Sequence, residues 1–222
     1  MMAIEPGHPE IPYPLPPERL PPRRTEPPVV PIVSFEGGDA WERLDEQRRI
    51  LVSGRLDHDA ATALAAKLMA FDGASSRDVE IVINSGGGPL EEIFAVLDVL
   101  RLMRARTHTT CIGSVVGTAA AVVACGTGTR RAATNATLCL RIDDRHTIEG
   151  TTSDIVRDAE ALSELSTRYV ATLAGATHLD AERLAVEIRR GTYLTAAQAR
   201  DLGILDRVDD RSTSSSTSTA EP

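Results

Sequence analysis

Aromatic residues are scarce in this chain: three Phe, three Tyr and one Trp amount to 3% of 222 residues. Ala, Val, Leu and Ile must therefore build the core, and an apolar share of 42% is enough for one α/β domain of this length. Cysteine is also sparse. Cys111, Cys125 and Cys139 are odd in number, evenly spaced and set in apolar runs. That pattern argues against a disulfide framework or a metal-ligand set and for small core residues in a reducing compartment. Positive charge is in deficit, with 24 Lys and Arg against 32 Asp and Glu for a formal net charge of −8. Nucleic acid is thereby excluded as the main partner, because no basic surplus exists to neutralise phosphates. An anionic membrane surface is disfavoured for the same reason. No window approaches the roughly 20 apolar residues of a membrane span. No apolar segment behind a basic start marks a secretory signal either. The chain is expected to be cytoplasmic.

Proline is abundant in one place. Eleven of the thirteen prolines fall within residues 1–31, in runs such as Pro12-Tyr13-Pro14-Leu15-Pro16-Pro17. Such a segment forms neither helix nor sheet and favours extended polyproline II. It is read as a disordered N-terminal segment, 1–45, or as a docking strip for a partner groove. Ser212 to Thr219 holds only Ser and Thr, and 210–222 is read as a second disordered tail. The domain is expected over 46–209.

Within it, strand and helix patterns alternate. Arg49–Ser53 reads as a strand, and Asp57 starts a helix with apolar residues at i, i+3, i+4 spacing. Val79–Ile83 is a strand that runs into Asn84-Ser85-Gly86-Gly87-Gly88-Pro89, a glycine turn with Pro placed to start a helix. Thr107–Ile112 is a β-branched strand, Thr118–Ala124 a small-residue helix, and Thr137–Ile142 a further strand. This order predicts parallel pairing with right-handed crossovers. Ser153 is placed to cap a long helix ending near Gly175. Helices at Asp180–Arg190 and Thr195–Leu202 and a strand at Ile204–Val208 close the domain.

Two glycine turns on neighbouring strands, Gly86-Gly87-Gly88 and Gly113 to Gly117, each open a helix. N–H groups at helix starts lack intrahelical acceptors, so two of them can be aimed at one oxygen as an oxyanion hole. No Gly-Lys-Ser/Thr follows either turn, so nucleotide binding is not indicated. No cofactor or metal is expected.

These segments carry a family likeness. Ile83-Asn84-Ser85-Gly86-Gly87-Gly88 resembles the I-N-S-P-G-G strand end of ClpP, the proteolytic subunit of the Clp protease (serine peptidase family S14). Cys111 to Ala120 resembles that family's C-x-G-x-A-A-S-M-G-A nucleophile segment. Thr134 to Leu140 resembles its P-N-S-x-V-M-I strand, and Tyr193 to Asp206 its F-L-S-A-x-E-A-x-x-Y-G-L-I-D ending. The likeness runs from Arg49 to Val208 in order. It implies the α/β ClpP/crotonase fold: a head with parallel strands and a projecting handle, here the helix from Ser153, which in the family joins two seven-membered rings. It also implies a ring, either a homo-oligomer or a mixed ring with an active ClpP paralogue, and docking by an AAA+ unfoldase.

The family's catalytic positions are occupied by the wrong residue types. Its serine falls on Gly117. Its histidine falls on Arg141, or on Ile142 if the strand is aligned without a gap. Its aspartate falls on Gly191. The family's oxyanion donors match the N–H groups of Gly88 and Thr118, supported by Gly86 and Gly87, with Gly86 in place of the family's proline. The first reading is thus a non-catalytic ClpP-like subunit. A second is a working peptidase with a relocated nucleophile, drawn from Ser85, Ser114 or Thr118 with His146 and Asp143 or Asp144. A third is a crotonase-like acyl-binding protein, although nothing in the sequence points to coenzyme A.

Overall fold

The structure, a computed structural model, describes residues 38–142 and 151–210. Its main sheet has five strands, all parallel, in the order β1 (Arg49–Arg55), β2 (Val79–Gly87), β3 (Thr107–Cys111), β5 (Arg130–Ala133) and β8 (Arg207–Asp209). A smaller sheet joins β4 (Ser114–Val116) in parallel to β6 (Thr137–Cys139), which pairs antiparallel with β7 (Leu194–Thr195). The α/β class and parallel order expected from the sequence are those of the molecule.

Helices are set by local signals and fixed by their apolar faces. Asp57 accepts a hydrogen bond from Ala60 N–H at 3.0 Å and starts α2 (His58–Ala74), which buries Ala61, Leu64 and Leu68. Pro89 precedes α3 (Leu90–Leu102), whose Ile93, Val96, Leu97 and Leu100 enter the core. All seven residues of α4 (Thr118–Ala124) are buried. Small side chains allow that helix to sit in the centre of the domain, where the shortage of aromatics becomes a packing solution.

The long helix α5 (Thr152–Ala176) has 25 residues, or about 37 Å at 1.5 Å per residue. Its first turns are mostly exposed, and it enters the core through Tyr169 and Leu173. Its cap is Thr151 rather than Ser153, because Asp154 completes a reciprocal capping box with Thr151. Then follow α6 (Ala181–Arg190), capped by Asp180, and α7 (Ala196–Asp201), capped by Thr195. No helix among the described residues is long and apolar enough to cross a membrane.

Several expectations are corrected in detail. β2 does not stop at Ile83 but continues through Gly87, because β1 pairs with it in regular register to Ser85 and, across a shift between Gly54 and Arg55, again at Gly87. The strand expected at Thr137–Ile142 ends at Cys139, and the closing strand starts at Arg207, after buried Ile204 and Leu205. A short helix α1 (Gly38–Glu46) lies at the end of the segment set apart as 1–45 and runs one residue past it. The proline run and the Ser/Thr tail lie outside the described residues.

Arg48 is a structural cation invisible in the sequence pattern. It is 5% exposed, with φ of 55°. Its guanidinium donates to the carbonyls of Phe71 (2.9 Å), Arg77 (2.9 Å), Ser75 (3.1 Å) and Asp78 (3.3 Å) at and beyond the end of α2. A cation suits the carbonyl-rich end of a helix.

Candidate functional site

β4 passes into α4 through Gly117, at φ 65° and ψ −135°. A side chain is strained in that conformation, which glycine adopts freely. The main chain there is held on both sides. Gly117 N–H donates to Cys139 C=O at 2.8 Å, and Gly117 C=O accepts from Ala120 N–H at 3.0 Å and from the Tyr169 hydroxyl at 3.2 Å. A Cβ on Gly117 has room, its nearest neighbours being the carbonyl oxygens of Arg141 and Gly86 at 3.4 Å.

Gly191 ends α6 as a left-handed cap (φ 58°, ψ 35°), donating to Glu187 and Ile188 carbonyls. A Cβ on Gly191 would lie 3.7 Å from Arg141 Cβ and 3.9 Å from its Cδ. The chain therefore brings Gly117, Arg141 and Gly191 together, with Arg141 in the middle. Arg141, not Ile142, is the residue that meets both glycines. Gly117 has no nucleophilic atom, Arg141 cannot take a proton near neutral pH, and Gly191 has no carboxylate to orient a base.

The glycine run is tightly fixed. Ser85 is buried, donates its hydroxyl to Gly54 C=O at 2.6 Å and accepts from Gly87 N–H at 3.1 Å. Gly87 has φ 81°, and a Cβ there would lie 2.7 Å from Val116 O and 2.8 Å from Thr118 N. On Gly88 a Cβ would lie 1.7 Å from Leu56 O. Both glycines are needed because main chain packs directly on main chain. Gly86 faces open space, so no neighbour requires glycine there.

The N–H of Gly88, expected as an oxyanion donor, is engaged. It donates to Thr118 Oγ1 at 2.8 Å, and the same hydroxyl donates back to Gly88 C=O at 3.1 Å. Thr118 is 1% exposed. An oxyanion hole works when its donors point at the place where charge develops; here a threonine hydroxyl fills one of those directions. Thr118 N–H, the second expected donor, is at the first residue of α4, where no intrahelical acceptor exists.

The other candidate groups are dispersed or committed. Ser114 is exposed, and its N–H donates to Asn84 Oδ1 at 3.2 Å. His58 pairs with Glu92 at 2.9 Å, which raises the imidazole above its ordinary value. His108 bridges Asp78 (3.0 Å) and Thr129 N–H (2.8 Å). His178 packs on Gly203. His146, Asp143 and Asp144 lie outside the described residues. Burial pushes the Cys111 thiol up to about 12 and the Cys125 thiol up to about 11, so neither is a nucleophile at neutral pH. Among the described residues no group of His, Cys, Asp and Glu side chains could hold a metal ion.

A feature that sequence reasoning missed adjoins this frame. Between α5 and α6 opens a cleft of about 680 Å³, with Arg141 and Gly191 on one side and Ser163, Ser166 and Thr167 of α5 on another. The residues that form it are far apart in sequence, and only the crossing of the two helices unites them.

Comparison with known proteins gives a consistent result. The model of the Clp protease family matches residues 35–212. The chain is 30% identical to ATP-dependent Clp protease proteolytic subunit 2 of Corynebacterium jeikeium, over 77% of its own length and 82% of the relative's. It is 32% identical to proteolytic subunit 1 of Mycolicibacterium paratuberculosis, over 76% of its own length and 81% of the relative's. The same identity, 32%, relates it to proteolytic subunit 2 of Mycobacterium tuberculosis, over 76% and 80%.

Proposed function

The chain belongs to the Clp protease family, and on that premise we propose that it is a non-catalytic, cytoplasmic subunit of a Clp protease complex. One observation supports the reading: a Cβ on Gly117 would lie 3.4 Å from the Arg141 carbonyl oxygen and a Cβ on Gly191 3.7 Å from Arg141 Cβ, so the three positions adjoin, yet these residue types supply no nucleophile, base or orienting acid. The engagement of Gly88 by the buried Thr118 hydroxyl supports it further. Thr118 and Ser85 are also poor relocated nucleophiles, because each is buried with its proton on a carbonyl.

In this role the subunit joins a ring, with itself or with an active paralogue, and contributes walls and contacts rather than cleavage. The exposed first turns of α5, which show Ile155 and Val156 to solvent at 42% and 52%, support a contact between subunits along that helix. The relatives' names describe ATP-dependent proteases, which supports an AAA+ unfoldase as the further partner.

Two measurements test the reading. The purified chain, with and without a Clp ATPase, is expected to leave small fluorogenic peptides uncleaved and to take no label from a fluorophosphonate probe. Cleavage at the rate of an active Clp peptidase, or labelling lost on Thr118→Ala or Ser114→Ala, sinks it. Affinity purification from the native host at low salt, followed by mass spectrometry, is expected to recover a second Clp-type subunit or a ring of this chain alone. A monomer with neither partner counts against the ring.

A further inference from the structure

The described lining of the cleft between α5 and α6 is basic, opposite in sign to the chain. The whole sequence has a formal net charge of −8, but the cleft's described lining includes Arg141, Arg189 and Arg190 and no Asp or Glu. Arg190 shares its charge with Glu187 at 3.6 Å. Arg141 and Arg189 have no ion pair among the described residues. Glycine at 191 contributes directly: with no side chain there, the stem of Arg141 lies against the end of α6, within van der Waals reach of where a Cβ would be.

The opposite wall has complementary chemistry. Ser166 and Thr167 give their own protons to the carbonyls of Leu162 and Ser163, both at 2.9 Å. Their oxygens are left as acceptors along the cleft. Val170 and Ile188 add apolar surface. A volume of about 680 Å³ falls within the roughly 300–1,000 Å³ of ligand sites.

We propose that this cleft binds an acidic peptide, with a carboxylate held by Arg141 and Arg189. The two guanidinium groups match a carboxylate with paired N–H donors. The hydroxyl oxygens match peptide N–H groups, and the apolar surface matches an aliphatic side chain. A free phosphate has no row of N–H groups to span those hydroxyl oxygens and no apolar part, so a peptide uses the cleft more completely. The inference rests on the non-catalytic reading in one respect: the peptide is bound and released intact.

The test is fluorescence anisotropy of the full chain with two labelled hexapeptides, one alternating Glu and Leu and one alternating Gln and Leu. The Glu peptide is expected to bind about tenfold more tightly, the size of one charge-assisted hydrogen bond, and to weaken as salt rises. Arg141→Gln and Arg189→Gln are each expected to remove most of that preference while keeping the unfolding midpoint, since both side chains are exposed. Gly191→Asp, which sets a carboxylate beside Arg141, is expected to mimic Arg141→Gln. Equal binding of the two peptides, unchanged binding by both arginine variants, or displacement of the Glu peptide by micromolar inorganic phosphate overturns the inference. Recovery of the peptide by chromatography separates the two readings. An intact peptide that never binds defeats only the cleft, whereas a cleaved peptide defeats the non-catalytic assignment.

Discussion

Thr118 and Gly88 exchange two hydrogen bonds across the interface between β2 and α4: the Gly88 N–H donates to the threonine oxygen, and the hydroxyl donates to the Gly88 carbonyl. Replacing Thr118 with valine keeps the shape and removes both. A buried N–H and a buried C=O then lose their partners, so Thr118→Val is expected to destabilise the fold by about 2–3 kcal/mol. Thr118→Ser, which keeps the hydroxyl, is expected to cost less than half as much. Urea unfolding of the three proteins checks the order.

Gly117→Ser is expected to fold, because a Cβ there meets nothing closer than 3.4 Å. The positive φ makes the change cost about 1–3 kcal/mol. It is also expected to leave peptide cleavage at background, since Arg141 cannot serve as base and Gly191 offers no carboxylate. Fluorogenic peptide assays on the variant measure this, and substantial turnover from the single change would reveal a base elsewhere in the molecule.

Arg48 donates to four carbonyls around the end of α2. Arg48→Met keeps most of the volume but leaves those carbonyls without their cation. A loss of about 3 kcal/mol is expected, the upper range for a hydrogen-bonded charge. A lowered thermal midpoint with unchanged binding in the α5–α6 cleft is the expected signature.

Asp206 gives a prediction in pH. Partial burial raises its carboxyl, but hydrogen bonds from the Arg130 guanidinium and N–H, at 2.6 Å and 2.7 Å, outweigh that and hold it below its ordinary value of 3.8. A depressed folded value means the pairing is fully stabilising above 3.8 and is lost as pH falls through the folded value. The wild type is expected to lose stability on acidification below that point. Asp206→Asn is expected to be less stable at neutral pH and to show a shallower acid limb, as read from denaturation midpoints across the pH range.

Much of this arrangement is legible in the sequence. α4 occupies Thr118–Ala124, as its run of small residues predicts, and β2 and α6 follow from their periodicity and caps. β4 and β7 were missed because three and two residues are too few for a period to register. β5 was missed for a different reason. It opens with Arg130 and Arg131, a pair that reads as surface, and those charges are accommodated in the sheet by Asp206 and Glu80 from distant segments. The bond between Thr118 and Gly88 joins residues 30 apart, so motif matching could name both groups as donors without seeing that one already had an acceptor.

Main-chain bonds at Gly117 and Gly191 hold this frame in place. Gly117 is tied through its own N–H and C=O to Cys139, Ala120 and Tyr169, and Gly191 through its N–H to α6. None of these bonds depends on which side chain the residue carries. The bonding of this frame is thus indifferent to side chains, and what restrains residue type at Gly117 and Gly191 is their positive φ. The tie from Tyr169 to Gly117 makes α5 part of the same unit, so a tilt of that helix is felt at the turn between β4 and α4.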